Sequence, residues 1–175
     1  MNKITIQPFT SSQVPAVVEL QSAYTEVYPE AQVMPGELYL SPGFEGNVFC
    51  AMDESGNLVG YAPLYPVLMR DESKSPHTLW VEVKAHPESE AMTGIKDQLW
   101  ERILLRAREV TARFPSHRIH LTFEYLLSET ASIAYVTSKG CQHTECVHHA
   151  AAPVAGNSVP ADGGRHCDPS VEDGK

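Results

Sequence analysis

The residues best placed for chemistry lie where a strand pattern changes into a helical pattern. Residues 79–83 (Leu-Trp-Val-Glu-Val) alternate as a half-buried strand does, and an amphipathic helical stripe begins near Thr93 and Gly94. Thr93 is predicted as the helix N-cap, and Gly94 allows close approach to the backbone. The first N–H groups of a helix have no partner within it, so they can bind an anion. The sequence therefore predicts an anion site here, and the alternative is a plain strand-turn-helix packing unit.

A second group of potential ligands lies near the C-terminus and consists of Cys141, His143, Cys146, His148, His149, His166 and Cys167. The Cys-x4-Cys spacing followed by adjacent histidines matches no standard zinc pattern. We therefore predict no metal site, and we expect only adventitious binding of nickel or zinc. The sequence also contains no nucleophile elbow, P-loop or dinucleotide fingerprint.

Composition limits the classes of protein that the chain can represent. Its 175 residues suffice for one domain with a sizeable core, and no apolar run approaches membrane-spanning length. The formal net charge of −9 argues against nucleic acid as a partner. Four irregularly spaced cysteines predict no disulfide framework, and the N-terminus lacks a secretory pattern, so a cytoplasmic location is expected.

Local patterns predict the elements that must position the site. An alternating strand covers residues 4–9, and a helix capped by Ser11 or Ser12 runs to about Val27. A long connection follows over residues 28–46. Its aromatics Tyr39 and Phe44 either line a pocket or, as we favour, plug the edge of the core.

The clearest hairpin pairs residues 47–52 with 58–66, and Pro63 predicts a bulge or bend in its second strand. After the central strand and helix, residues 118–124 predict another strand. A last helix starts at Glu129 or Thr130 and stops at Gly140. The tail from residue 150 to 175 has no apolar periodicity and is predicted to be disordered, which leaves residues 1–149 as the domain.

The run Val-Lys-Ala-His-Pro-Glu at residues 83–88, followed by Gly94-Ile95 and the long helix, resembles the central motif of the GNAT superfamily of acyl-CoA-dependent N-acyltransferases. The order of elements is similar from Ile4 to Cys141. The resemblance implies an α/β (α+β) fold, with a mixed central sheet flanked by helices on both faces.

The resemblance also implies that acetyl-CoA is the co-substrate. Its pyrophosphate would lie on the loop formed by Ala91, Met92, Thr93, Gly94, Ile95 and Lys96, and its pantetheine arm on the backbone of Val83 and Ala85. Ala91 and Lys96 depart from the family's Arg/Gln-x-x-Gly-x-Gly/Ala loop. Glu88 and Glu90 place further negative charge beside the phosphates. We therefore expect weak binding of acetyl-CoA.

In such an enzyme a base must deprotonate the acceptor amine and an acid must protonate the leaving thiolate. Glu82 is the first candidate for the base, on the strand face opposite Leu79, Val81 and Val83; the alternative is a solvated polar side chain. His120 and Glu124 rank second. The family's general-acid tyrosine is replaced by Val136, so the adjacent Tyr135 is the candidate acid; the alternative, which helical spacing equally allows, is a side chain buried in the core.

Three functions follow as hypotheses. The first is an N-acetyltransferase that acts on the primary amine of a small molecule or peptide, without a nucleic-acid or membrane partner and with a homodimer left open. The second is a catalytically weak or inactive GNAT-like lobe, such as occurs in tandem members, with a binding or regulatory role. The third and most remote is a metal-binding module built on the C-terminal His/Cys cluster.

Overall fold

The computed structural model describes residues 3–67, 77–89, 94–114 and 119–142. The predicted disordered tail, the boundary at residue 149 and most of the His/Cys cluster lie outside these residues. The strands are β1 (Thr5–Pro8), β2 (Val48–Met52), β3 (Leu58–Val67), β4 (His77–Val81), β5 (Lys84–Ala85) and β6 (Ile119–Thr122). The α-helices are α1 (Val14–Val27), α2 (Ile95–Thr111) and α3 (Thr130–Ser138). Short 3-10 segments cover Ser11–Gln13, Gly36–Leu40 and Pro87–Ser89.

These six strands form one mixed sheet in the part of the chain that the structure describes. Its order is β1-β2-β3-β4-β6, and β5 pairs with β3 beside β4. Strands β1 to β5 pair antiparallel, whereas β4 and β6 run parallel after the crossover through α2. The predicted α/β class with a mixed sheet is therefore confirmed.

The two faces of the sheet are covered by different helices because strand side chains alternate between faces. Phe49, Ala51, Leu79 and Val81 pack in one cluster with the apolar stripe of α2. The intervening side chains, which include Val48, Cys50 and Tyr61, form a second cluster with Val17 and Leu20 of α1. Helices on both faces were predicted, and the structure confirms them.

The connection after α1 contributes to the core. Tyr39 and Phe44 are 2% and 5% exposed and make edge-to-face contact with each other. The interpretation that these aromatics plug the core is confirmed. They pack in the cluster beneath α1, so this segment covers one end of that face of the sheet.

Two predicted helix caps are wrong. The turn that leads into α1 begins at Ser11 itself, and Thr10 precedes it with its N–H donating to Gln13 Oε1 at 2.7 Å. The N-cap of α2 is Gly94 and not Thr93. Gly94 has φ +114°, a left-handed backbone conformation that glycine adopts without the strain a Cβ atom would cause. Helix α3 starts at Thr130 and ends before Gly140, as predicted.

Helix α2 packs closely on the sheet at Gly60 in β3. A Cβ atom placed there would lie 3.0 Å from Ile95 Cγ2, 3.0 Å from the Lys84 carbonyl oxygen and 3.1 Å from Leu99 Cδ1. We expect Gly60→Ala to lower the free energy of unfolding by about 1–3 kcal/mol, as overpacking does. Urea denaturation measures it, with Gly36→Ala as control because its nearest atom would lie at 3.4 Å. Equal effects of the two substitutions would contradict this close packing.

No helix among the described residues is long and apolar enough to span a membrane.

Candidate functional site

The site is built around an interruption in strand pairing at Glu82 and Val83. Strand β3 pairs with β4 up to Leu64↔Val81 and with β5 from Tyr61↔Lys84, in the same register. Between these pairs, Glu82 N–H donates to the Pro63 carbonyl at 3.3 Å. Pro63 has no N–H to return, so the ladder loses a hydrogen bond at this point.

This interruption corrects two predictions. Strand β3 runs unbroken through Pro63, so the effect of the proline falls on the neighbouring strand and not on its own. The predicted central strand over residues 79–83 ends at Val81, and pairing resumes only at Lys84. Glu82 therefore lies between β4 and β5 instead of within a strand, and its N–H still bonds to β3.

The backbone of Val83 faces the side of the sheet where β4 and β6 separate. Glu82 and His86 donate their N–H groups to carbonyl groups of β3. Since main-chain groups alternate in direction along a strand, those of Val83 and Ala85 point the other way. On that side the parallel pairing with β6 ends at Trp80↔Thr122. We call the main-chain N–H and C=O groups of Val83 and Ala85 the Val83 edge.

Tyr125 contacts this edge directly. Its hydroxyl accepts a hydrogen bond from Val83 N–H at 3.2 Å and donates one to the Val83 carbonyl at 3.4 Å. Its ring stacks on Phe123, which stacks on Trp100 of α2. Sequence reasoning missed Tyr125, although its place just after the alternating strand was a usable signal.

Glu82 is a buried carboxyl group. It is 3% exposed, its Oε1 lies 3.5 Å from Lys84 Nζ, and its Oε2 has no hydrogen-bond partner among the described residues. Burial raises the pKa of Glu82 to about 7, against the opposing effect of the Lys84 charge. A carboxyl group with such a pKa can exchange a proton near neutral pH. The solvated alternative is wrong, and the predicted face, opposite Leu79, Val81 and Val83, is confirmed.

Lys84 is the buried partner of Glu82, and sequence reasoning also missed it. It is 1% exposed, and its Nζ donates to the Gln32 carbonyl at 2.9 Å. The ammonium group also lies 4.8 Å from the centre of the Tyr24 ring. The signal was available, because Lys84 follows Glu82 by two residues and so shares its face of the sheet.

Two tyrosines complete the surroundings of Glu82 on the face covered by α1. Gln21 Nε2 donates to Tyr61 Oη at 3.1 Å, whereas the buried Tyr39 Oη has no hydrogen-bond partner among the described residues. Burial, reinforced by the Glu82 charge, raises the pKa of Tyr39. Glu82 Oε2 and Tyr39 Oη are thus two buried polar atoms still able to accept or donate a hydrogen bond.

Tyr135 lies on α3, and its side chain contacts the first turn of α2. Its hydroxyl donates to Asp97 Oδ1 at 3.0 Å, and Asp97 Oδ1 also lies 2.6 Å from Lys139 Nζ. The ring lies 5.6 Å from Lys96 Nζ and 5.2 Å from Lys139 Nζ. Burial, followed by Asp97, raises the pKa of Tyr135. The described hydrogen bonds thus link Tyr135 to the helix start, whereas Tyr125 contacts the residue after Glu82.

The predicted anion loop is described only in part. Ala91, Met92 and Thr93 lie outside the described residues. Gly94 caps α2, and Gln98 N–H donates to its carbonyl at 2.9 Å. The Ile95 side chain is 2% exposed and packs in the core, so only its backbone can face a ligand. Lys96 supplies positive charge at this helix start, whereas the charge of Lys139 is paired with Asp97.

The remaining candidates for the base, His120 and Glu124, are not buried as Glu82 is. His120 and Glu124 are both exposed, on β6 and just after it. Among the described residues no three His, Cys, Asp or Glu side chains are grouped so that they could hold a metal ion.

The fold is shared with known acetyltransferases. No family model and no curated protein matches the chain by sequence. A GNAT-family acetyltransferase from Staphylococcus aureus Mu50 superposes with a TM-score of 0.58 at 11% identity, covering 79% of this chain and 84% of that one. The aminoglycoside 6'-N-acetyltransferase AAC(6')-Ih of Acinetobacter baumannii gives 0.58 at 14% identity, covering 87% and 100%. The aminoglycoside N-acetyltransferase AAC(6')-Iy, in complex with CoA, gives 0.55 at 18% identity, covering 84% and 93%.

The chain thus has the fold of the GNAT acetyltransferases, and the resemblance to that superfamily is confirmed at the level of fold. At these identities the likeness carries no residue roles. Those roles have to be argued from the site itself.

Proposed function

We propose that the protein is an N-acyltransferase that moves an acetyl group from acetyl-CoA to a primary amine. The observation that carries this proposal is the position of Glu82. A buried carboxyl group, one oxygen of which has no hydrogen-bond partner among the described residues, lies one residue before the Val83 edge, where the pairing of two parallel strands ends. The fold shared with acetyltransferases, two of them named for aminoglycosides, supports the proposal.

The residues present fit the donor at two places. The Val83 edge offers an N–H and a C=O to the amides of a pantetheine arm. The start of α2 offers backbone N–H groups and Lys96 to phosphates. Glu82 lies one residue before the Val83 edge, on the face covered by α1, and its burial excludes water from the carboxyl group.

Each residue role follows from the proton balance of the reaction. The acceptor arrives as an ammonium ion, and the Glu82 carboxylate takes one of its protons, directly or through a water. The neutral nitrogen attacks the thioester carbonyl, the new C–N bond forms, and the C–S bond breaks. The leaving thiolate takes a proton to give the free thiol, for which Tyr135 was predicted as the donor. Tyr125, whose hydroxyl contacts Val83 next to Glu82, is the second candidate for this proton donor. The nitrogen loses its second proton as the amide forms and this proton restores the donor, while the proton on Glu82 passes to solvent.

Titration calorimetry and an amine panel test the function. We expect acetyl-CoA to bind with a Kd on the order of tens of micromolar. Ala91 and the bulk of the Lys96 side chain weaken the phosphate loop, and the Lys96 charge only partly offsets the repulsion by Glu88 and Glu90; a net loss of a few kcal/mol costs tenfold in affinity per 1.4 kcal/mol. Release of free thiol is then measured with polyamines, amino acids and aminoglycosides. Absence of binding at millimolar acetyl-CoA would refute the proposal.

The loop itself is tested through Lys96. We expect Lys96→Gln to raise the Kd for acetyl-CoA about three- to tenfold, and more at low salt, because a positive charge near the phosphates is lost. Lys3→Gln is the matched control, since Lys3 is exposed and lies just before β1, outside the loop. A tighter complex in Lys96→Gln would show instead that the lysine side chain blocks the site.

A catalytically inactive lobe is the second candidate, and one observation favours it. The Tyr125 hydroxyl already satisfies both main-chain groups of Val83. Such a lobe would bind acetyl-CoA or a related ligand without thiol release in any member of the amine panel. Binding without turnover would select this function over the first.

A further inference from the structure

The Tyr125 hydroxyl occupies both main-chain hydrogen-bonding groups of Val83, as a bound ligand would. One phenol hydroxyl both accepts from the N–H and donates to the C=O of a single residue. A group that does both must be the neutral phenol. Burial raises the pKa of Tyr125, which keeps the phenol in that form.

The Tyr125 side chain lies beyond the last pair of β4 and β6. Paired strands lie about 4.8 Å apart, which leaves no room for a side chain between their backbones. Beyond Trp80↔Thr122 the tyrosine reaches from the β6 side to the backbone that follows β4. Its ring is fixed by the stack of Phe123 on Trp100, with centroids 5.4 Å apart. The hydroxyl is therefore held in place and not simply near the edge.

We propose that the Tyr125 hydroxyl competes with the pantetheine arm for the main-chain groups of Val83 and so limits the affinity for acyl-CoA. This inference rests on the proposed function. A pantetheine arm contains two secondary amides, and each presents one donor and one acceptor. An amide would therefore make the same pair of bonds that the hydroxyl makes, and both cannot be made at once.

Removing the hydroxyl alone separates this competition from packing. Tyr125→Phe keeps the ring on Phe123 and frees both Val83 groups. Because the donor no longer displaces two hydrogen bonds, we expect the Kd for acetyl-CoA to fall about tenfold. Adenosine 3',5'-bisphosphate, which lacks the pantetheine arm, should bind both forms equally. Tyr65→Phe is the matched control, because Tyr65 lies on β3 and its ring packs on Phe44.

Calorimetry with the two ligands distinguishes the outcomes. Tighter acetyl-CoA with unchanged nucleotide affinity supports the competition. Equal or weaker acetyl-CoA in Tyr125→Phe overturns it and leaves the proposed function standing. Failure of every form to bind acetyl-CoA refutes the proposed function, and the inference with it.

A measurement on the wild-type protein tests the inference even if Tyr125→Phe does not fold. Saturation with acetyl-CoA, but not with the bisphosphate, should shift the amide resonance of Val83, since its partner changes from a hydroxyl to an amide. An amide resonance of Val83 that stays unmoved at saturation would overturn the inference without any substitution.

Discussion

Glu82→Gln is expected to lower amine acetylation by about 10²-fold or more at pH 7, while the affinity for acetyl-CoA stays within about twofold. A rate loss of this size is typical when an enzyme loses its general base. An amine with a pKa near 10 is about 99.9% protonated at pH 7, so its proton must be removed before attack. Gln keeps the shape and the burial of the side chain but cannot accept that proton.

The pH dependence gives this prediction a second signature. Burial, opposed by Lys84, raises the pKa of Glu82 to about 7, so the wild-type rate should rise through that pH as the carboxyl group ionises. The rise should be missing in Glu82→Gln. The difference between the two forms should then shrink at high pH, where the amine loses its proton unaided.

A pH–rate profile of thiol release measures both effects. Glu19→Gln, on the exposed side of α1, is the matched control and should leave the profile unchanged. Equal rates for wild type and Glu82→Gln would remove Glu82 from the mechanism and direct the search to His120 and Glu124. Turnover in neither form, with acetyl-CoA bound, would select the inactive lobe.

Lys84→Met should lower the free energy of unfolding by about 3–5 kcal/mol at pH 8. Removal of one partner from a buried ion pair leaves the other charge without compensation. In Lys84→Met the partner left behind is Glu82, since Lys84 Nζ lies 3.5 Å from Glu82 Oε1. At pH 8 Glu82 must either stay charged without its partner or take up a proton, and both lower the stability. The Glu82→Gln/Lys84→Met double variant should recover much of the loss, because the uncompensated charge is then absent.

The loss of unfolding free energy in Lys84→Met should be smaller at pH 5 than at pH 8. The direction of this pH dependence follows from the pKa of Glu82. The folded-state pKa of about 7 lies above the unfolded reference of 4.5, so the folded state binds the proton more tightly. The stability that Glu82 contributes is thus fully present below about pH 4.5 and is lost as the pH rises through 7. Without Lys84, whose charge lowers this pKa, protonation persists to higher pH. The negative charges of Glu129 and Glu124 also raise the pKa of Glu82.

Urea denaturation at pH 5 and pH 8, followed by tryptophan fluorescence, measures these changes. Lys139→Met is the matched control: its Nζ lies 2.6 Å from the exposed Asp97, and an exposed pair contributes about 1 kcal/mol or less. Equal losses for Lys84→Met and Lys139→Met would show that the buried pair has no special energetic role.

The sequence alone determined the elements and the side of the sheet on which each residue lies. The apolar stripe of α2, the hairpin of β2 and β3 and the end of α3 before Gly140 all follow from patterns within a few residues of each other. Alternation along residues 79–83 also placed Glu82 on the face opposite Leu79, Val81 and Val83. Such patterns are reliable because backbone geometry fixes the direction of each side chain locally.

Only the tertiary structure decided the environment of those residues. Packing of α1 and its following connection buries Glu82 and Lys84, and no local pattern separates a buried carboxyl group from a solvated one. Pro63 was recognised as a disturbance, but the N–H it lacks removes a hydrogen bond from the neighbouring strand. Tyr125 reaches Val83 across 42 residues of sequence, whereas Tyr135 is linked to the start of α2. These contacts depend on where the chain returns in space, which residue spacing along the chain does not encode.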